Sequence, residues 1–354
     1  PFQVHLVGLN SKVDEVYLRA SELNKNSEED AGSPCNLDEN ITQESIIKIE
    51  QMVINEPTPN ISLRESDSEC CYDAVCKECC DNSCSSKNYP IIFLHGHSIS
   101  SIIPADYSLD NFLSVKEKLS FEEYVDAGTL VISSVMEEKG LWGKADFPFM
   151  MTSSYFFDIY KDQAGNFLTT PSNEDSIDTY ALRLKEIIEI AKYKTNKDKV
   201  IIVAHSMGGV VTRRYVQIFG ASSINKIIFV TVPNKGVDSK TTGICGILGS
   251  KAVCKDLDEN SLFINKLNNA PTEKPEIHNI IGIGCNLGSE TGDGIVKNSS
   301  QYLDYATNYY VSGNCDELTL RYLHNEIGDP DKYPEVYEII KNVLKQNNLN
   351  NFIS

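Results

Sequence analysis

A ten-residue stretch at positions 200–209 limits the possible folds more than any other part of the chain. It reads VIIVAHSMGG, a β-branched run that leads into a serine and then into an amphipathic helical pattern. The residues two before and two after Ser206 are Ala204 and Gly208. Both are small, as a tight strand-to-helix turn requires, because a larger Cβ would clash with the neighbouring backbone. Such a turn lifts a hydroxyl above the edge of a sheet, so Ser206 is a candidate nucleophile. A chance serine between small residues is the less favoured alternative.

From residue 89 onward, strand-like and helix-like patterns alternate, as is typical of a mostly parallel sheet flanked by helices. Apolar, β-branched runs predict strands at 91–94, 129–133, 200–204, 226–231 and 279–284. Apolar residues at helical spacing predict helices at 176–194, from the serine to about 219, and at 334–345. We therefore expect an α/β domain at 89–354.

Residues 1–88 have a different character. Short β-branched runs alternate with stretches rich in Asn, Ser and Glu, which predicts a few β-strands. We expect a small, acidic, β-containing extension with a cysteine cluster. A structural collar or a spacer to another domain is the role that this composition favours.

The negative charge of the chain disfavours some classes of binding partner. The formal net charge is −18, and residues 1–88 alone hold 17 acidic and 7 basic side chains. This excess argues against nucleic acid and anionic membrane surfaces, because both are negatively charged. No run of eighteen apolar residues occurs, so we expect no transmembrane segment.

Eleven cysteines are many for an enzyme of the reducing cytosol. Six form a cluster: Cys70, Cys71, Cys76, Cys79, Cys80 and Cys84. Disulfides are the favoured interpretation; the Cys76-x-x-Cys79 spacing also fits zinc, and free thiols are the third alternative. Cys245 and Cys254 look like a disulfide that closes a loop. We therefore expect a secreted or cell-surface protein, and the start at Pro1 indicates a mature or trimmed form.

A serine hydroxyl needs a base within hydrogen-bond reach, because it is a poor nucleophile at neutral pH. For a serine at this kind of turn, the chain order is serine, acid, histidine. Five of the six histidines precede any plausible acid: His5, His95, His97, His205 and His278. His324, in a loop just before the last predicted helix, is therefore the candidate base.

The acid should lie in a loop after a strand, between Ser206 and His324. Asp293 meets this requirement, since it stands between two glycines that let the backbone turn sharply. Asp304 and Asp316 are the competitors, and Asp316 follows no predicted strand. A simple turn aspartate is the alternative role for Asp293.

An oxyanion formed at such a site needs two backbone N–H groups. Met207 directly follows the serine at a helix N-terminus, where the helix dipole also favours negative charge. The loop after the first strand offers the second group, and we expect it to be the N–H of His97.

Together these segments resemble the α/β-hydrolase lipases and esterases, especially the bacterial-type lipases with Ala-His-Ser-Met-Gly-Gly at the turn, and the broader inositol-deacylase-like group. The matching pieces are Phe-Leu-His-Gly at 93–96, the turn at 204–209, Thr-Val-Pro-Asn-Lys-Gly at 231–236, Gly-Asp-Gly-Ile-Val at 292–296 and Leu-His at 323–324. The resemblance covers about residues 89–350.

The resemblance implies an α/β-hydrolase fold and two-step acyl transfer with no metal or organic cofactor. Ser206 would attack an ester carbonyl, His324 would move the proton and Asp293 would steady the imidazolium. The implied substrate is a small-molecule, lipid or polymer ester, with polyesters included. An acyltransferase or amidase on the same scaffold and a non-catalytic cell-surface binding module are the alternatives; an intact Ser/Asp/His set argues against the last.

An apolar cluster near the catalytic face is the candidate substrate contact. It comprises Phe147, Phe149, Met150, Met151, Tyr155, Phe156 and Phe157. We select Phe149, Met150 and Tyr155 as substrate-binding candidates, with packing of a strand in the core as the alternative. Residues 237–255 form either a lid or a surface loop.

Overall fold

The computed structural model describes residues 69–72, 75–78, 88–96, 110–130, 139–145, 147–155, 157–161, 167–171, 176–238, 251–269, 273–316 and 321–349. All of them belong to one unit of the chain, Glu65–Ser354. Most of the expected extension at 1–88 lies outside the described residues, so its boundary stays a prediction.

A seven-stranded sheet forms the centre of this unit. From one edge to the other its strands are β13 (Thr307–Ser312), β10 (Glu276–Ile283), β9 (Ile224–Val230), β8 (Val200–His205), β3 (Ile91–Leu94), β5 (Phe149–Ser153) and β4 (Val125–Thr129). Every neighbouring pair is parallel. All carboxyl ends of the strands therefore meet at one edge, where the loops of a parallel sheet usually carry the functional site. The expected mostly parallel α/β architecture is confirmed.

Helices cover both faces of the sheet. They are α1 (Leu113–Ser120), α2 (Ile177–Thr195), α3 (Met207–Phe219), α4 (Lys251–Leu257), α5 (Leu262–Asn269), α6 (Asn298–Gln301), α7 (Leu323–Glu326) and α8 (Pro334–Leu349). Successive strand residues point to opposite faces. Ile92 and Leu94 of β3 accordingly pack with α2 and α3, whereas Ile91 and Phe93 pack with α1 and α8. Both faces are buried, which explains the continuous apolar runs in the sequence.

Smaller elements decorate the sheet. Three antiparallel hairpins pair β1 (Glu69–Tyr72) with β2 (Val75–Glu78), β6 (Phe157–Lys161) with β7 (Phe167–Pro171), and β11 (Cys285–Leu287) with β12 (Glu290–Gly292). A 3-10 helix spans Leu141–Ala145. The first hairpin lies in the cysteine cluster, where Cys70 is disulfide-bonded. That bond agrees with the disulfide interpretation at Cys70.

The long helix α2 shows why its prediction succeeded. Ser176 caps its first turn by accepting a hydrogen bond from the Thr179 N–H, and Asn196 ends it in a left-handed conformation with φ of 52°. A serine at the N-cap and a left-handed asparagine at the C-terminal end are local signals that can be recognised in a sequence. The predicted and observed helix bounds therefore agree within one residue.

The two edge strands of the sheet differ from the predictions. The strand expected at 129–133 is observed at Val125–Thr129, and residues 131–133 lie outside the described residues. Strand β13 was not predicted, because its sequence TNYYVS has neither a continuous apolar run nor a regular alternation, and only Val311 of its six residues is buried. Among the described helices, none is long and apolar enough to cross a lipid bilayer.

Candidate active site

Ser206 lies at the turn between β8 and α3. Its backbone adopts φ of 51° and ψ of −125°, a conformation that non-glycine residues rarely take and that often marks functional sites. The turn is also tightly packed, because a Cβ at Gly208 would lie 2.6 Å from the carbonyl oxygen of His95. Glycine is therefore required at position 208, two residues after the serine. The serine side chain itself stays partly accessible.

His324 and Asp293 lie next to Ser206. Nε2 of His324 is 2.9 Å from Ser206 Oγ, and Nδ1 of His324 is 2.7 Å from Asp293 Oδ2. The histidine is 3% exposed and the aspartate fully buried. The three side chains selected from the sequence thus form one continuous hydrogen-bonded chain at the carboxyl edge of the sheet. The competitor Asp304 is exposed in a turn, and the Asp316 backbone pairs with Arg321.

Two backbone N–H groups orient the carboxylate of Asp293. Oδ1 accepts hydrogen bonds from Ile295 at 2.9 Å and from Val296 at 2.7 Å. This leaves Oδ2 free to face His324. The backbone carbonyl of Asp293 in turn accepts the His324 N–H at 2.9 Å, so two hydrogen bonds join the acid loop to α7, which carries the histidine. Since a carboxylate only accepts, the imidazole proton lies on Nδ1 and the lone pair of Nε2 faces the serine.

Gln301 holds the loop that carries Asp293 in place, and no sequence pattern pointed to this residue. Its buried side chain donates to the carbonyls of Val296 at 2.9 Å and of Gly282 at 3.1 Å. Its Oε1 accepts the Gly282 N–H at 2.9 Å. The amide therefore links strand β10 to the loop that carries Asp293. A glutamine in a short helix gives no local signal of such a role.

A disulfide also joins the segment before Asp293 to the segment before His324. Cys285, at the start of β11, is bonded to Cys315, which follows β13. Cys315 Sγ also accepts the Leu323 N–H, directly before the histidine, at 3.4 Å. The sequence patterns left these two cysteines unpaired. Cys254 is disulfide-bonded too, whereas its predicted partner Cys245 lies outside the described residues.

The expected oxyanion groups can be placed only in part. Met207 is the first residue of α3, where backbone N–H groups lack partners within the helix. His97 lies outside the described residues, but the loop that leads to it passes close to the serine, since a Cβ at Gly96 would lie 2.9 Å from the Ser206 Cβ. The Tyr155 hydroxyl holds this loop by donating to the carbonyl of His95 at 2.8 Å.

The predicted substrate contacts are mostly buried. Met150 and Tyr155 have no exposed surface, and only Phe149 is partly accessible. Met150 lies inside β5 and points to the face covered by α1 and α8, and Tyr155 stacks on His95 with 4.7 Å between ring centroids. Burial raises the pKa of Tyr155 well above its ordinary value. The packing alternative therefore describes Met150 and Tyr155, because the sheet and the loop after β3 enclose them.

Comparisons with known proteins give a family match over part of the chain and several structural similarities at low identity. Residues 165–287 match the family model of the class 2 lipases, a segment that includes Ser206. No curated protein shows significant sequence similarity to the chain. Similar solved structures include mature lipase BlEst2 of Bacillus licheniformis, with 15% identity and a TM-score of 0.43 over 72% of this chain and 91% of that chain.

Two further structures are similar at the same low level of identity. The product of the lin2722 gene of Listeria innocua has 15% identity and a TM-score of 0.41, over 70% of this chain and 92% of its own. Phospholipase PlaB of Legionella pneumophila has 13% identity and a TM-score of 0.39, over 60% of this chain and 45% of its own. With its parallel sheet, its flanking helices and the turn at Ser206, the chain is an α/β-hydrolase-fold protein whose residues 165–287 resemble the class 2 lipases.

Proposed function

We propose that the chain is a serine-dependent carboxylic ester hydrolase of the lipase and esterase type. The observation that carries this proposal is the unbroken chain of hydrogen bonds from Ser206 Oγ through His324 to Asp293, at 2.9 and 2.7 Å. The same arrangement, in which an aspartate binds a histidine that in turn binds the serine hydroxyl, activates serine nucleophiles on unrelated folds. The match to the class 2 lipases supports an ester as the substrate.

The proposed reaction has two steps. Ser206 Oγ attacks the ester carbonyl as its proton moves to His324 Nε2, and the collapse of the tetrahedral intermediate expels the alcohol, which takes that proton. Water then loses a proton to the same nitrogen and attacks the acyl-enzyme. Collapse of the second tetrahedral intermediate releases the acid and returns that proton from His324 Nε2 to Ser206 Oγ. Asp293 keeps the proton on Nδ1 of the histidine and stabilises the imidazolium.

The negative oxygen of each intermediate needs donors that are already in place. The Met207 N–H at the start of α3 is one proposed donor, and the N–H of His97 is the other. The N-terminal end of α3 adds a favourable electrostatic contribution, because its backbone dipoles point their positive ends toward the site.

Replacing Ser206 by Ala tests the proposal. We expect kcat for p-nitrophenyl butyrate to fall by about 10⁵- to 10⁶-fold, since the covalent step is lost. Ser222→Ala is the matched control, because Ser222 is an exposed serine in the turn after α3. It should keep wild-type activity. Replacing His324 by Ala should be nearly as damaging, and the double variant should lose no more than either single one.

A covalent probe adds a second readout. An alkyl fluorophosphonate should add one phosphonyl group per chain of wild-type protein, on the peptide that contains Ser206, and none to Ser206→Ala. Ester hydrolysis that persists in Ser206→Ala, or labelling at another residue, would overturn the assignment. A panel of acyl esters, aromatic polyester models and amides then separates ester hydrolysis from amidase activity.

We also propose that the protein works in an oxidising compartment, secreted or at the cell surface. The Cys285–Cys315 disulfide and the bonded state of Cys70 and Cys254 support this, because such bonds persist outside the reducing cytosol. Free-thiol counting on protein purified without reductant tests it, and reactive thiols at these four positions would contradict it.

A further inference from the structure

His205 directly precedes the proposed nucleophile, and its side chain lies against α7, the short helix that carries His324. The His205 ring is 8% exposed, and its centroid is 4.9 Å from that of the His324 ring. Phe112 meets it edge-on at 6.4 Å between centroids. On the Nδ1 side, a Cβ at Gly96 would lie only 2.7 Å away. The sequence suggests only that this side chain points away from the serine hydroxyl, and gives no partner for it.

Both ring nitrogens of His205 have partners, and these partners determine where its proton lies. Nε2 is 2.8 Å from the backbone carbonyl oxygen of His324, a group that only accepts. Nδ1 is 3.2 Å from Nδ2 of Asn111, a group that only donates. A neutral imidazole with its proton on Nε2 satisfies both contacts at once. Asn111 therefore selects the tautomer that donates to His324.

The surroundings also keep this ring uncharged. Burial, with a smaller contribution from the neighbouring His324 and His95, lowers the pKa of His205 to about 3, although the hydrogen bond to the His324 carbonyl opposes the shift. Of its other described neighbours, Asn111, Phe112 and Gly96 carry no charge. His205 is consequently uncharged at neutral pH.

The backbone of His324 is held on both sides. Its N–H donates to the Asp293 carbonyl at 2.9 Å, and its carbonyl accepts from His205. These two contacts fix the position from which the imidazole reaches Ser206 Oγ. The rate of catalysis depends on the exact position of such a base, because a displacement of about 1 Å at the reacting groups lowers the rate on the order of 100-fold.

We propose that His205 is a positioning residue for the base: its Nε2–H holds the carbonyl of His324, and Asn111 sets its tautomer. This inference rests on the function proposed above. It assigns to the histidine of the turn a role distinct from that of the serine beside it, since the His205 Nε2–H is bonded to the backbone carbonyl of the base and not to a reacting atom.

Substituting His205 by asparagine or by glutamine tests the contributions of the two ring nitrogens separately. A Gln amide at position 205 reaches the place of Nε2, whereas an Asn amide reaches only that of Nδ1. We expect His205→Asn to lower kcat for p-nitrophenyl butyrate by about 10- to 100-fold with KM within twofold, and His205→Gln to recover most of that loss. Asn111→Leu should cost less, about two- to fivefold, because the Nε2 donor remains.

Thermal unfolding of each variant separates positioning from general stability. All rates are compared below the lowest midpoint, at 10–15 °C if a variant requires it. A kcat for His205→Asn equal to that of wild type, or equal losses in the Asn and Gln variants, would refute the positioning role while Ser206→Ala remains inactive. If Ser206→Ala itself retains hydrolysis, the proposed function fails first, so the two failures are distinguishable.

Discussion

The Asp293 carboxylate is held by two backbone N–H groups on Oδ1, which leaves only Oδ2 to face His324. This asymmetry matters because an aspartate and an asparagine have almost the same shape. In the Asp293→Asn variant, the amide oxygen would keep the two backbone donors, and the NH₂ group would turn toward His324 Nδ1. The imidazole would then carry its proton on Nε2, where it faces Ser206.

Asp293→Asn should therefore leave the fold intact and remove the base. We expect kcat for p-nitrophenyl butyrate to fall by about 10⁴-fold, the size that an inverted histidine tautomer produces in serine hydrolases. Asp304→Asn is the matched control, because Asp304 is exposed, and it should change kcat by less than twofold. Substantial activity in Asp293→Asn would show that this carboxylate is not the required partner.

At the scale of elements, the end of the sheet is tied together by contacts between β10, β13 and the loops that follow them. The strands run parallel, with Ile283 opposite Ser312. Just beyond this pair, the Cys285–Cys315 disulfide closes a segment of 30 residues that contains Asp293. The Leu323 N–H donates a hydrogen bond to Sγ of Cys315. The bond thus joins the chain before the acid to the chain before the base.

Replacing both cysteines, Cys285→Ser with Cys315→Ser, isolates this bond from the other disulfides. A closed segment of this length predicts a loss of about 2–4 kcal/mol in the free energy of unfolding. We also expect kcat to fall severalfold, since both loops gain freedom. Urea denaturation and ester hydrolysis measure the two effects. A double variant as stable as the wild type would mean that the surrounding packing alone holds the loops.

For the whole molecule, stability depends on pH through the buried histidine of the turn. The pKa of His205 is about 3 in the folded chain, against an ordinary value of 6.5. Between these values the unfolded chain binds more protons than the folded one, so the free energy of unfolding rises with pH. The stabilising contribution is thus complete above about pH 6.5 and is lost as the pH falls toward 3.

His205→Gln should remove this part of the pH dependence. Relative to the variant, wild-type protein should lose about 2 kcal/mol of unfolding free energy between pH 7 and pH 5. Urea denaturation of both proteins at the two pH values gives the difference, in which the carboxylates common to both cancel. Identical pH dependence in the two proteins would contradict the lowered pKa.

The sequence alone determined the features that short stretches of chain encode. The continuous apolar strand at β8, the capped helix α2 and the small residues around Ser206 are local patterns, and each appears where it was expected. The choice of His324 and Asp293 also followed from the sequence, because few histidines and few acids stood in the right order. The structure places both side chains beside Ser206, and their catalytic role stays a proposal.

Only the tertiary structure decided which distant groups meet. The contact of Gln301 with Gly282, the Cys285–Cys315 bond and the contact of His205 with His324 join positions 19, 30 and 119 residues apart. Likewise, the burial of Met150 and Tyr155 follows from strand order and register, which no local periodicity contains. Apolar spacing reports which face of an element is buried, whereas the partner on that face is set by how all the strands and helices pack together.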